Sequence, residues 1–154
     1  MPLNDILTPD AVLASLRVNG KKQALQEMSE RAAVVSGLPA REIFDSLLQR
    51  ERLGSTGVGD GIAIPHGKLA KCGRIFGVFG RLERPIDFDA LDGLPVDMIF
   101  LLIAPENAGA DHLKALALIS RVLRSPGLPA KLRATRDPSA IFSLLTLTPT
   151  SHAA

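Results

Sequence analysis

Val96-Asp-Met-Ile-Phe-Leu-Leu-Ile103 is the stretch from which the fold can be read. Only Asp97 interrupts its apolar character. A strand with one wet face alternates apolar and polar residues, whereas a strand covered on both faces runs apolar throughout. This run is therefore expected to be a central strand with helices packed on both sides. Its longest apolar portion, Met98 to Ala104, has the length of a buried strand. It falls far short of the roughly 20 apolar residues that a membrane helix needs.

The neighbouring segments agree with that reading. Arg74 to Leu82 sets Ile75, Phe76, Val78 and Phe79 among small glycines and reads as a second strand. Pro85 to Pro95, with Asp87, Asp89, Asp92 and Gly93, reads as a polar connection between the two. Beyond the central run, Asp111 to Leu123 has Leu113, Leu116, Ile119 and Leu123 at helical spacing, with Asp111 as the expected N-cap. Short helices are expected at Pro129 to Thr135 and Pro138 to Leu145, and the tail from about 147 is expected to fray. Toward the N-terminus, Val12 to Val18 reads as a strand closed by Asn19-Gly20. Lys21 to Val35 reads as a helix ended by Gly37, and Ala40 to Arg52 as a second helix facing inward through Ile43, Phe44, Leu47 and Leu48. Gly54 to Gly61 reads as a glycine-rich loop. Helices and strands alternate through short links. The expectation is α/β: one domain over residues 1–154, with a mixed sheet sandwiched between helices on both faces.

Composition narrows the function. A chain of 154 residues, 46% hydrophobic, is long enough for a sizeable core. Eighteen basic against 16 acidic residues leave only +2, and the aromatic residues are all Phe, at 4%. Nucleic-acid binding is not expected without a basic face or Trp and Tyr for stacking. The single cysteine, Cys72, excludes an internal disulfide and fits a reducing compartment. The opening Met-Pro-Leu-Asn-Asp has no basic cluster followed by an apolar block. No signal peptide and no membrane insertion are expected, so the expected location is cytoplasmic.

The chemistry concentrates at Gly61-Ile-Ala-Ile-Pro-His-Gly-Lys68. Ile62 and Ile64 suit a strand, and Pro65 gives it a rigid exit. His66 is then expected to stand in an open place beside Gly67. A rigid, exposed imidazole can act as nucleophile, proton carrier or metal ligand. Phosphoryl transfer needs a neutral ring with one nitrogen bare and the other proton-bearing against a fixed acceptor. It also needs donors for the phosphoryl oxygens. His112, near a helix start, the loop amides and the arginines Arg50 and Arg52 offer such donors. Each piece also has a plain structural reading: a turn histidine, a capping residue, a solvated helix end, a tight turn. A Walker loop is absent, because Ile62 stands where its first glycine belongs and Leu69 follows Gly67-Lys68.

The segment Glu51 to Gly67, Glu-Arg-Leu-Gly-Ser-Thr-Gly-Val-Gly-Asp-Gly-Ile-Ala-Ile-Pro-His-Gly, resembles the phosphorylation-site signature of the mannitol/fructose-type (type 2) enzyme IIA proteins of the bacterial sugar phosphotransferase system. An acidic or amide residue, six free positions, an aliphatic, a glycine, two free positions and aliphatic-Ala-aliphatic-Pro-His-Gly make a long pattern. Pro85 to Asp97, Phe100 to Pro105 and Asp111 to Leu116 also resemble the family. The opening Leu3 to Thr8 and the Arg50 to Gly57 stretch are most similar to its nitrogen-regulatory branch.

The resemblance implies that His66 accepts a phosphoryl group on its Nε2 (tele) nitrogen. His112 would be the second active-site histidine and Arg50 the active-site arginine. Thr56 and Gly67 would lie at the phosphoryl-binding loop. It implies an HPr-like phosphocarrier protein as donor, itself charged from phosphoenolpyruvate, with no cofactor and no metal. A regulatory output through targets such as potassium transport or sensor proteins is implied as well, reporting nitrogen, carbon or potassium status. Two alternatives stay open: an interaction module that is never phosphorylated, and a sugar-transport enzyme IIA serving a separate IIB. A zinc hydrolase built on His66 and His112 lacks His-Glu-x-x-His and any ligand pair at metal spacing. His152 lies in the tail and has no assigned role.

Overall fold

The computed structural model describes residues 1–147; His152 and the expected frayed tail lie outside the described residues. Short 3-10 turns at Leu3–Asp5 and Pro9–Ala11 lead into β1 (Val12–Leu16). There follow α1 (Lys21–Ser36), α2 (Ala40–Arg52), β2 (Gly57–Gly59), β3 (Ile62–Ala63) and β4 (His66–Leu69). The chain continues as β5 (Phe76–Ile86), β6 (Val96–Pro105), α3 (Ala110–Leu123), α4 (Leu128–Arg133) and α5 (Pro138–Leu147).

The six strands form one mixed sheet in the order β1-β5-β6-β3-β2, and β4 also pairs with β6. The long β5–β6 pair is antiparallel, while β1 runs parallel to β5, and β3 and β4 run parallel to β6. As the apolar run requires, β6 is the central strand. Every residue from Met98 to Ala104 is 0% exposed, so both faces of the sheet are covered at this strand. Phe79 and Phe100 stand opposite each other across β5 and β6, their rings 6.2 Å apart and inclined at 60°. That is the edge-to-face geometry aromatic pairs favour. Helices α1 and α2 pack on each other and against β5 and β4, α3 packs on β6, and α5 on β1.

Several expectations need correcting. The glycine-rich segment is not all loop. Gly57 and Gly59 form β2, which pairs with β3 as a hairpin. Asp60 and Gly61 turn it with φ of 59° and 81°, the left-handed pair of a tight hairpin turn, for which Asp-Gly is a strong sequence signal. The strand expected at Arg74 to Leu82 starts at Phe76 and extends to Ile86. Its register with β6 shifts between Arg81 and Ile86, which lets Pro85 sit in the strand without a missing ladder bond. Helix α3 begins one residue early, capped by Gly109 at φ 58° rather than by Asp111, which lies exposed in the first turn.

Candidate active site

Pro65 does not end the sheet. It separates β3 from β4 while its carbonyl accepts from the Leu102 amide at 2.9 Å, so the chain stays alongside β6. His66 is therefore the first residue of β4, in register with Leu102, and its ring is half-buried rather than freely open. Gly67 is buried and paired with Ile103; a Cβ there would run into the Ser46 side chain of α2. The glycine permits this close approach, which brings α2 and its C-terminal Arg50 to the histidine strand.

The His66 Nδ1 lies 2.8 Å from the Ile64 carbonyl. A carbonyl only accepts, so Nδ1 carries the proton and Nε2 keeps a bare lone pair. The ring's pKa is lowered from 6.5. Burial is the main cause; the bond to Ile64 and the charge of Glu51 oppose it, and the positive charge of Arg50 adds to it. At neutral pH the imidazole is thus uncharged and its nucleophilic nitrogen is defined.

His112, on the first turn of α3, faces this ring edge-on: centroids 5.5 Å apart, planes at 80°. It is only 7% exposed, and its buried Nε2 has no hydrogen-bond partner among the described residues. Its pKa is also lowered, by burial first and then by the neighbouring His66 and Lys68. A buried polar nitrogen left unpaired costs about 1–3 kcal/mol, which is expected where a group awaits a ligand.

The structure thus brings His66, His112 and Arg50 together, while Thr56 faces elsewhere. Arg50 donates from Nη1 to the Gly54 carbonyl at 2.8 Å, which pins the start of the loop. Thr56 is 4% exposed and donates its hydroxyl to Glu51, so it belongs to the scaffold under the loop. Sequence reasoning gave Glu51 no role beyond its place in the motif. Its buried carboxylate accepts from the Thr56 amide at 3.1 Å, from the Thr56 hydroxyl, and from Lys21 Nζ at 2.9 Å. This clasp joins the start of α1, the end of α2 and the strand leading into β3. An acidic residue five positions before a threonine on a helix end was the available signal. Among the described residues, no group of three or more His, Cys, Asp or Glu side chains is arranged to hold a metal ion.

A strand-borne histidine with one nitrogen bare, a second histidine across from it and an arginine alongside is the arrangement on which family relationships bear. The family model described as "Phosphoenolpyruvate-dependent sugar phosphotransferase system, EIIA 2" matches residues 5–147, and the chain belongs to this family. Within it, the chain is 58% identical over 153 residues to a nitrogen regulatory protein of Bradyrhizobium diazoefficiens, covering 99% of this chain and 100% of that one. It is 39% identical over 147 residues to the nitrogen regulatory protein of Escherichia coli, covering 95% and 90%. The crystal structure of nitrogen regulatory protein IIA-Ntr from Neisseria meningitidis superposes with a TM-score of 0.87 at 34% identity, covering 92% of this chain and 97% of that one. Mannitol IIA from Escherichia coli, at 20% identity and a TM-score of 0.76 over 90% and 97% of the two chains, shares the fold.

Proposed function

We propose that this protein is a phosphocarrier with a regulatory output, and that His66 Nε2 is the atom that accepts the phosphoryl group. The observation that carries the proposal is the Nδ1 bond to the Ile64 carbonyl, which leaves Nε2 as the free nucleophile. The donor is a phosphohistidine on an HPr-like carrier of the nitrogen type, charged from phosphoenolpyruvate. The Nε2 lone pair attacks phosphorus, and the carrier's N–P bond breaks with its electron pair returning to the carrier's ring. Both partners are imidazoles, so no proton has to move and the transfer is close to isoenergetic. His112 Nε2, carrying its proton, donates to a phosphoryl oxygen, and Arg50 screens the charge spread over the others.

Docking uses the exposed apolar residues next to this machinery: Leu53, 85% exposed at the end of α2, and Leu113, 69% exposed beside His112. Such a contact is small and transient. Phosphorylation then adds about −1.5 to −2 charge at the docking surface, enough to switch which target proteins bind, such as potassium transport or sensor proteins.

Incubation with phosphoenolpyruvate, enzyme I and the carrier, followed by intact-mass measurement, tests the proposal. An acid-labile gain of one phosphoryl group is expected, absent from His66→Ala. A labelled His66→Ala protein would refute the site, and no gain in the parent would favour an unphosphorylated interaction module. His112→Ala should slow transfer while leaving thermal unfolding near the parent; unchanged transfer would remove its role.

A further inference from the structure

The far edge of the sheet carries a feature that phosphoryl transfer does not use. Among the described residues, β1 is the last strand of its row and pairs only with β5. No backbone bond from another described element reaches its other edge, although the β1–β5 ladder is irregular between Leu13 and Leu16 and the Ala14 carbonyl accepts from Arg81 Nη1 at 3.2 Å. An edge of this kind is a template for one more strand unless something covers it. Among the described residues, a trench of about 680 Å³ runs along it, lined by the residues of β1. Glu27 and Arg31 of α1 form one wall, and Arg136 and Pro138 at the start of α5 form the other.

The charges lining the trench indicate what it fits. Arg17, Arg31 and Arg136 line it against Glu27, with the Glu83 carboxylate at its margin bonded by Ser15. Arg17 is exposed, Arg31 donates to the Asp10 carbonyl at 2.8 Å, and Arg136 is tempered by Glu83 at 3.4 Å. A second copy of the chain would set this basic wall against itself. An extended segment carrying carboxylates would meet complementary charge, while its backbone completed the ladder and its alternate side chains fell to either side of the edge.

We propose that the free edge of β1 is a docking site for an extended acidic segment of a partner protein, added to the sheet as an extra strand. The site lies three strand spacings from β4, roughly 14 Å across the sheet, and on its opposite side from the β2–β3 hairpin. A partner held there leaves the His66 face open to the phosphocarrier. Target binding and phosphoryl transfer then occur on one molecule at the same time.

The test is fluorescence anisotropy with the full chain and a labelled peptide, Asp-Glu-Val-Thr-Val-Thr-Val-Glu. Saturable binding is expected, weakened about tenfold or more in Arg17→Glu/Arg31→Glu, a variant checked for folding by its thermal transition. The same peptide with proline at the first threonine and at the valine after it loses a central donor on either edge of the strand and should not bind. Binding should persist in His66→Ala, which separates this proposal from the phosphocarrier reading. Amide resonances of residues 12–17 should shift on titration. Absence of saturation, equal binding of the proline peptide, or shifts centred on His66 would overturn the proposal. So would sedimentation showing a dimer closed through β1.

Discussion

Replacing Glu51 by alanine tests how the active-site loop is held. The carboxylate accepts three bonds: the Thr56 amide at 3.1 Å, the Thr56 hydroxyl, and Lys21 Nζ at 2.9 Å. Lys21 is 20% exposed at its side chain and can turn to water, so its loss costs little. Thr56 is 4% exposed and cannot, so two buried donors are stranded. Each stranded donor costs about 1–3 kcal/mol, which gives roughly 2–6 kcal/mol for Glu51→Ala. Glu51→Gln keeps one full acceptor and should lose about half as much. Urea unfolding followed by circular dichroism measures both. The decisive control is the cycle with Thr56→Val: removing the hydroxyl first strands nothing there, so the double variant should be more stable than the sum of the singles predicts. Strict additivity, or a loss in Glu51→Ala below about 0.5 kcal/mol, would show that the clasp does not support the loop.

Stability should also depend on pH through the two histidines. Both rings have folded pKa values below the 6.5 of the free side chain. Below 6.5 the unfolded chain binds protons that the folded chain refuses, so stability is complete above 6.5 and falls as pH drops toward the folded values. The slope is at most about 1.4 kcal/mol per pH unit for each ring. Urea midpoints across this window should flatten in His66→Gln/His112→Gln; an equally steep dependence in that variant would assign the slope to other groups. Glu83 and Asp92, lowered from 4.5 and 3.8, act only in a more acid window. Gly67→Ala should cost about 1–3 kcal/mol by overpacking against Ser46, part of it recovered in Gly67→Ala/Ser46→Ala. A neutral Gly67→Ala in thermal unfolding would contradict the close approach.

The central strand, the three long helices and the place of His66 were legible because each follows from a local pattern: an apolar run, a helical stripe, a Pro-His-Gly exit; His112 was set opposite it by family resemblance alone. What the pattern hid was pairing. β4 follows a proline and contains a glycine, so no alternation marks it; it exists because Pro65 lends its carbonyl to β6. The β2–β3 hairpin was hidden by its glycines, although Asp60-Gly61 signalled the turn. Arg81 occupies a strand position that reads as solvent-facing. It is 9% exposed and bonds the carbonyls of Ala14, Leu132 and Arg133, which ties β1 to the end of α4. No local rule anticipates an arginine spent on carbonyls from such distant parts of the chain. Thr56 was assigned to the phosphoryl group by resemblance, and only three-dimensional placement shows its hydroxyl committed to Glu51.

Arg133 reaches back across the molecule, donating to Asp97 at 2.9 Å and to the Asp60 carbonyl in the hairpin turn at 2.7 Å. The hairpin that leads into the histidine strand is thus latched by a residue near the end of the described chain. During synthesis on the ribosome, His66 leaves the exit tunnel long before its latch does. A nascent chain that has released His112 but not Arg133 therefore carries both histidines before the brace on the hairpin is in place.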